Sequence, residues 1–336
     1  MKLLENYSIN DLKLKNRIVM APMCMYQVYN KDGVATSFHK SHYVARAIGQ
    51  VGLIIVEATG VMNNGRITDH CLGLYNDKQI EPLKEIVDAV HCQGSKIAIQ
   101  LNHAGRKSET TNLRHIGPSA IKFNKNEFNY DEMTKQDINE VIESFKDAAQ
   151  RANHAGFDAL EIHGAHGYLI HQFISPLSNH RSDEYGQDRF LFLKQLISEI
   201  KTVWPNEKPI LLRISATDYI ENGLSVDDWV NFLNENKNLV DCIHVSSGGL
   251  VSTKINVYPG YQLPLSKEIK NKTDYITIGV GLINDHELLQ ASLELDHCDL
   301  VASGRELLRN PNLLLDIAKK ANRDDLIPFA YKRAYK

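Results

Sequence analysis

The stretch FDALEIHGAHGYLIHQFISPLSNHRSDEYG, residues 157–186, decides how this chain is read. It begins as a strand. Ala159, Leu160 and Ile162 are apolar, and Glu161 and His163 share one face of the period-two pleat. Gly164 and Gly167 then break it, and His163, His166 and Tyr168 stand beside those glycines. Two imidazoles and a phenol at a strand exit can present hydrogen-bond donors to a bound ligand. Arg181, Asp183, Glu184 and Tyr185 follow in what reads as a polar loop. A metal site is the rival reading: HxxH can ligate zinc, with Glu161 as a third ligand on the His163 face.

The rest of the chain repeats the strand. Apolar runs occur at residues 17–23, 52–59, 96–101, 159–163, 210–216, 240–247, 275–280 and 299–303. Helical spacing fills the gaps, at 39–50, 81–92, 135–155, 189–204, 285–295 and 311–321, and a helix follows the Ser225 cap. Most strands are continuous apolar runs, as in a parallel sheet covered on both faces. Eight strand–helix units predict a (β/α)8 TIM barrel spanning residues 1–336 as one domain. A doubly wound sheet would prefer GxGxxG after the first strand, and MAPMCMY offers no glycine there. Residues 3–14, around the turn pair Asn10-Asp11, read as a hairpin cap, and residues 106–133 as a long loop after strand 3.

Composition narrows the function. The net charge is −3, so no bulk attraction to nucleic acid or a membrane surface is expected. No apolar run reaches a membrane span, and MKLLENYSIN lacks a signal-peptide core. Five cysteines without a CxxC pair point to reduced thiols and a cytoplasmic address.

In such a barrel the chemistry sits at the C-terminal strand ends. That rule selects Pro22, Met23, Cys24 and Tyr26 after the first strand, and Ala58 and Thr59 after the second. It adds Gln100 and His103, then His163, His166 and Tyr168, then Arg213. The last three strands end in SSGG (246–249), GVG (279–281) and SGR (303–305). Glycine-rich ends with Arg305 suit a phosphate, through close backbone N–H groups and a bidentate charge. No lysine suited to a Schiff base stands at a strand end, and few carboxylates converge there. Gln100 and Arg213 suit a carbonyl-rich, electron-accepting ring.

The segments LKNRIVMAPMCMY, FHKSHYVARAIGQVGLIIVEATGV, IQLNHAGRK, SSGGLV and SGRELLRNP, together with the stretch quoted first, resemble the old yellow enzyme family. The match is to its thermophilic-like bacterial branch and covers nearly the whole chain. It implies noncovalent FMN and NADPH as reductant, with activated alkenes, quinones or nitro compounds as substrates. It further implies a role in detoxification. Ala21, Pro22, Met23, Cys24, Ala58 and Gln100 would lie against the flavin, and Arg213 would face its N1/O2 edge. Gly304 and Arg305 would hold the phosphate, with Ser247 and Gly281 nearby. His163 and His166 would polarise the substrate carbonyl, Tyr26 would contact substrate, and Tyr168 would donate the proton to Cα. Cys24 would tune the flavin potential. The resemblance implies a homodimer or homotetramer, with Arg333 of the tail YKRAYK reaching a neighbouring subunit's site. The sequence departs from the family at Gly186, Gln187, Asp188 and Arg189, where a few residues are missing; Asp188 is expected to cap the next helix.

Overall fold

The structure, a computed structural model, describes residues 1–123 and 130–336. Strands β1 (Tyr7–Ile9) and β2 (Leu12–Leu14) form the expected antiparallel hairpin. Asn10 turns the chain at φ 49°, a left-handed conformation that asparagine tolerates. The eight barrel strands are β3 (Ile18–Met20), β4 (Leu53–Gly60), β5 (Lys96–Asn102), β8 (Ala159–Gly164), β9 (Ile210–Ser215), β10 (Cys242–Ser246), β11 (Ile276–Gly279) and β12 (Leu300–Ser303). All pair in parallel, and β12 closes on β3 through Val301↔Ile18, Ala302↔Val19 and Ser303↔Met20. The remaining two strands, β6 (His115–Gly117) and β7 (Tyr130–Glu132), pair with each other in the stretch expected to be a long loop. Residues 124–129 of that stretch lie outside the described residues.

The helices on the outside are α1 (Ser37–Ile48), α2 (Ile80–His91), α3 (Lys135–His154), α4 (Leu169–Ile174), α5 (Glu184–Gln187), α6 (Leu191–Lys201), α7 (Val226–Glu235), α8 (Leu263–Lys272), α9 (His286–Glu294), α10 (Arg305–Arg309) and α11 (Leu313–Lys320). Local chemistry sets their starts. Thr134 accepts from Asp137 N ahead of α3, Ser225 from Asp228 N ahead of α7, and Asp285 from Leu288 N ahead of α9.

Two apolar layers result. The helices' inner faces meet the strands' outward side chains around Phe145, Phe157, Phe192 and Trp229. Each such buried side chain contributes about 1.5–3 kcal/mol. Inside the barrel floor, Ile9, Leu12 and Leu14 of the hairpin pack on Leu53, Ala98, Ala159, Leu211, Cys242 and Leu300, all at or near the strands' first residues. The hairpin is thus a plug, and only the opposite end of the barrel is open to a ligand.

Four local expectations are corrected. The first strand stops at Met20, not at residue 23: Pro22 has no N–H to continue the ladder, and the chain turns away after Ala21 N meets Ser303 O. The supposed polar loop after residue 180 contains α5, with Asp183 accepting from Tyr185 N. Ala58 and Thr59 lie within β4 rather than after it. Asp188 does not cap α6 as expected: the N-cap is Phe190, without a side-chain cap, and Asp188, two residues earlier, ends α5 and accepts from Phe190 N at 3.1 Å. The turn at Gly186 is tight: a Cβ there would stand 1.8 Å from Arg181 O.

Candidate active site

A polar layer crosses the barrel interior near its mouth. β5, β8, β9 and β10 are adjacent, in registers Gln100↔Glu161, His163↔Arg213 and Arg213↔His244. Gln100 Nε2 donates to Glu161 Oε1 at 2.7 Å, and His244 Nδ1 donates to Glu161 Oε2 at 2.6 Å. Both carboxylate oxygens of Glu161 are therefore taken by neighbours other than His163 and His166. Among the described residues no group of three or more His, Cys, Asp or Glu could hold a metal ion. The zinc reading has no support.

Above this layer β8 exits through His163, His166 and Tyr168, which the structure brings together. The His163 ring lies 5.2 Å from that of His166 and 4.9 Å from that of Tyr168, edge-on in both cases. The turn between them is strained on purpose: His166 has φ 60° and Gly167 φ 73°. Gly167 is required there, because a Cβ would meet Gly249 O at 2.3 Å, where the loop after β10 crosses. Ser215 Oγ accepts from His166 N at 2.9 Å and fixes the turn. Burial, reinforced by the Arg213 charge, holds both imidazoles well below their usual pKa, so they are neutral donors and acceptors. Ala165 N donates to His163 Nδ1 at 3.3 Å, which leaves the proton of that ring on Nε2.

The segment after β3 forms the facing wall. Met25 N donates to Glu57 Oε2 at 3.0 Å, and Tyr43 OH reaches Glu57 Oε1 at 3.3 Å. Burial pushes the Glu57 carboxyl up to about 8. Tyr26 takes φ 55° and is half exposed at the mouth. Cys24 and Tyr168 pack on Ala58, Cys71 and Ala104. A one-residue bulge in β4, where Val56 to Thr59 oppose Ile99 to Leu101, sets Ala58 against this group.

Beside His166 the mouth opens into a cleft of about 270 Å³. Ala21, Pro22, Met23, His166 and Arg213 line it, and so do Ser247, Gly281, Gly304 and Arg305 from the glycine-rich strand ends; Gly304 lies against Met23. Tyr261 and Gln262 close the side. Sequence reasoning missed these two, because they precede α8 rather than follow a strand. Gln262 Nε2 and Tyr219 OH both donate to Ser247 Oγ, at 2.7 and 2.9 Å. Arg213 is buried, and its Nε has no hydrogen-bond partner. Arg333 stands exposed on the tail beyond α11, away from the residues lining the cleft.

Three further buried imidazoles near this end make stability acid-sensitive. Burial pulls His39 down to about 4 and His42 and His103 down to about 3. Unfolded, they titrate near 6.5, so below that pH the unfolded chain binds more protons and stability falls. The slope is about 1.4 kcal/mol per pH unit per group, or about 2 kcal/mol each at pH 5. Glu57 opposes this in part, because its raised carboxyl costs stability as pH rises from 4.5 to about 8. Urea denaturation is expected to give a lower midpoint at pH 5 than at pH 6.5. An unchanged or higher midpoint would mean these rings are charged in the folded state.

A closed parallel barrel whose mouth brings glycine-rich strand ends and Arg305 together with a buried arginine has the layout of a cofactor-binding barrel oxidoreductase. A buried Arg213 whose Nε has no partner, lining the same cleft as Arg305 and the glycine-rich strand ends, suits an electron-accepting ring carrying a phosphate, so these residues fit FMN. Comparison with known proteins agrees. The family model of the NADH:flavin oxidoreductase / NADH oxidase family matches residues 2–324, and the chain belongs to that family. An NADPH dehydrogenase of Clostridium acetobutylicum is 51% identical over 100% of both chains. One from Bacillus subtilis is 47% identical over 99% of each. Morphinone reductase superposes with a TM-score of 0.79 at 26% identity, covering 93% of this chain and 88% of its own. The protein is a flavin-dependent oxidoreductase that uses FMN and a nicotinamide reductant.

Proposed function

We propose that this enzyme is an NADPH-dependent ene-reductase that reduces activated C=C bonds of enones, with quinones and nitro compounds as further acceptors. The observation that carries this reading is the neutral pair His163 and His166 beside Tyr168, with His166 lining the cleft. FMN, when bound, supplies the two-electron relay between nicotinamide and substrate. The chain's own residues do the rest. His163 Nε2–H donates to the substrate carbonyl oxygen together with His166, drawing electron density from the alkene. Tyr168 gives its proton to Cα. Tyr26 bounds the substrate at the mouth. Gln100, whose Nε2 is taken by Glu161, offers its amide oxygen as an acceptor to the ring. Arg213 supplies positive charge where electron density accumulates, and Ser247, Gly281, Gly304 and Arg305 hold the phosphate. Ala21 to Met23 and Ala58 pack against the ring, and Cys24 adjusts its potential.

Clearance of reactive electrophiles is the biological role this chemistry suits. The identity of 51% to an NADPH dehydrogenase along the full chain supports the choice of NADPH. It equally supports a cytoplasmic enzyme. Among the described residues no helix is long and apolar enough to cross a membrane. We place Arg333 at the site of a neighbouring subunit in a homodimer or homotetramer, consistent with its exposure on the tail.

The test is an anaerobic absorbance spectrum. The purified protein is expected to be yellow, to bleach with NADPH and to recover its colour on adding cyclohexenone. Bleaching without recovery would remove the ene-reductase assignment. A colourless protein that FMN does not reconstitute would remove the cofactor assignment as well.

A further inference from the structure

We propose that Cys24 and Cys71 form an oxidisable pair, which peroxide converts into an intrachain disulfide in the wall of the active-site cleft. The two residues are distant in sequence, and the fold brings them together. The segment 66–74 lies along the end of β4, with Gly60 N donating to Leu72 O at 2.9 Å and Leu74 N to Gly60 O at 2.9 Å. It also grips the segment after β3. Val28 N donates to His70 O at 3.1 Å, and His70 Nδ1 meets Val28 O at 3.0 Å. Cys24 packs, beside Tyr168, against the small buried cluster that holds Cys71, Ala58, Ile67 and Ala104.

The two sulfurs differ in a way that suits sequential oxidation. Cys24 is only half-buried and borders the mouth, whereas Cys71 is fully buried. Cys71 sits in a turn closed by its own N–H to Thr68 O at 3.1 Å. Thr68 N and Thr68 Oγ1 each approach its Sγ at 3.4 Å. The neighbouring Cys24, the largest cause, and the Thr68 contacts pull the Cys71 thiol down to about 6, while Cys24 is held up. The proton of the pair thus rests on Cys24, and Cys71 carries thiolate character, which makes it the nucleophile of the second step.

The chemistry balances with hydrogen peroxide as the oxidant. The Cys24 sulfur attacks one peroxide oxygen as its proton passes to Cys71. The O–O bond breaks, water leaves after gaining a proton, and Cys24 becomes a sulfenic acid. The Cys71 sulfur then attacks the Cys24 sulfur. The S–S bond forms, the S–O bond breaks, and a second water leaves with the Cys71 proton. One thiol, one thiolate, a proton from solvent (taken up by the first departing water) and one peroxide give one disulfide and two waters. Of the other cysteines, Cys92 is exposed after α2, and Cys242 and Cys298 are buried in separate apolar clusters away from the mouth. Oxidation would withdraw the Cys24 thiol from the cleft and tie the Met23–Tyr26 wall to the segment carrying Cys71.

The test uses the holoenzyme and does not depend on turnover. Protein is treated with hydrogen peroxide, quenched with catalase, unfolded in iodoacetamide and digested without reductant. The expected result is a cross-linked peptide joining Cys24 and Cys71, two hydrogens lighter than its parts and split by dithiothreitol. Two of the five thiols should escape alkylation. In Cys71→Ser, dimedone should label Cys24, because its sulfenic acid has no partner. Cys24 recovered as sulfinic acid beside an alkylated Cys71 in the wild type would overturn the proposal. So would both residues recovered as alkylated thiols. Either result would leave the ene-reductase assignment intact, since the spectral test reads a different property.

Discussion

Replacing Tyr168 by Phe is expected to slow alkene reduction by about 10²–10⁴-fold, the range for removing a positioned general acid. Bleaching by NADPH should proceed at the wild-type rate. The two half-reactions separate because only the second needs a proton at Cα. Burial, helped by the Cys24 thiol nearby, pushes the Tyr168 phenol well above its ordinary value. It is therefore fully protonated at any working pH, and the rate should show no ionisation of this group. The ring itself stays useful in the variant. It packs edge-on to His163 and against Ala58 and Cys71, contacts that Phe retains. Stopped-flow traces with cyclohexenone decide the matter: reoxidation at the wild-type rate would assign the proton to water or another side chain.

The second large effect is expected from Arg213→Met. Arg213 is buried, its Nε lacks a partner, and the Glu161 carboxylate in the same layer is already shared by Gln100 and His244. Burial lowers its pKa, so the fold bears a cost for keeping a cation there. That cost is repaid when a ligand accepts the charge. Loss of a charged hydrogen bond of about 1.5–3 kcal/mol predicts FMN binding weaker by about 10–150-fold. The melting temperature of the flavin-free protein should stay level or rise, because an uncompensated charge has been removed. A drop in that temperature with unchanged flavin affinity would make Arg213 structural instead. The His163 and His166 rings should also become easier to protonate, since the Arg213 charge helps hold their pKa values down.

Much of this site was legible in the sequence because barrel geometry converts order along the chain into position. Once eight apolar runs are recognised, their final residues must share one mouth, and Arg213, Gly281, Gly304 and Arg305 follow from that rule. Other parts obey no such rule. Every residue of α4 is buried, so its sequence LIHQFI carries no amphipathic period to mark it as a helix. Glu57 lies inside the apolar run 52–59 and was passed over; the structure shows that it holds Met25 N in the wall bearing Cys24 and Tyr26. Cys71 left no trace at all, since its meaning depends on which strand end its segment lies against. Gly186 looked like half of a shortened motif; the fold shows that no side chain fits there.

The seam between β3 and β12 has a consequence for how the protein is made. Val301 pairs with Ile18, so 283 residues separate the two edges of one ladder. At roughly 5–20 residues per second of synthesis, the edge of β3 waits on the order of 15–60 s for its partner to be translated. During that interval β3 and the apolar inner face of the hairpin belong to an open sheet with an unpaired edge, the kind of surface that recruits foreign strands. The nascent chain therefore needs shelter for most of its own elongation, and a truncation before Leu300 would leave an open sheet whose edge has no remedy.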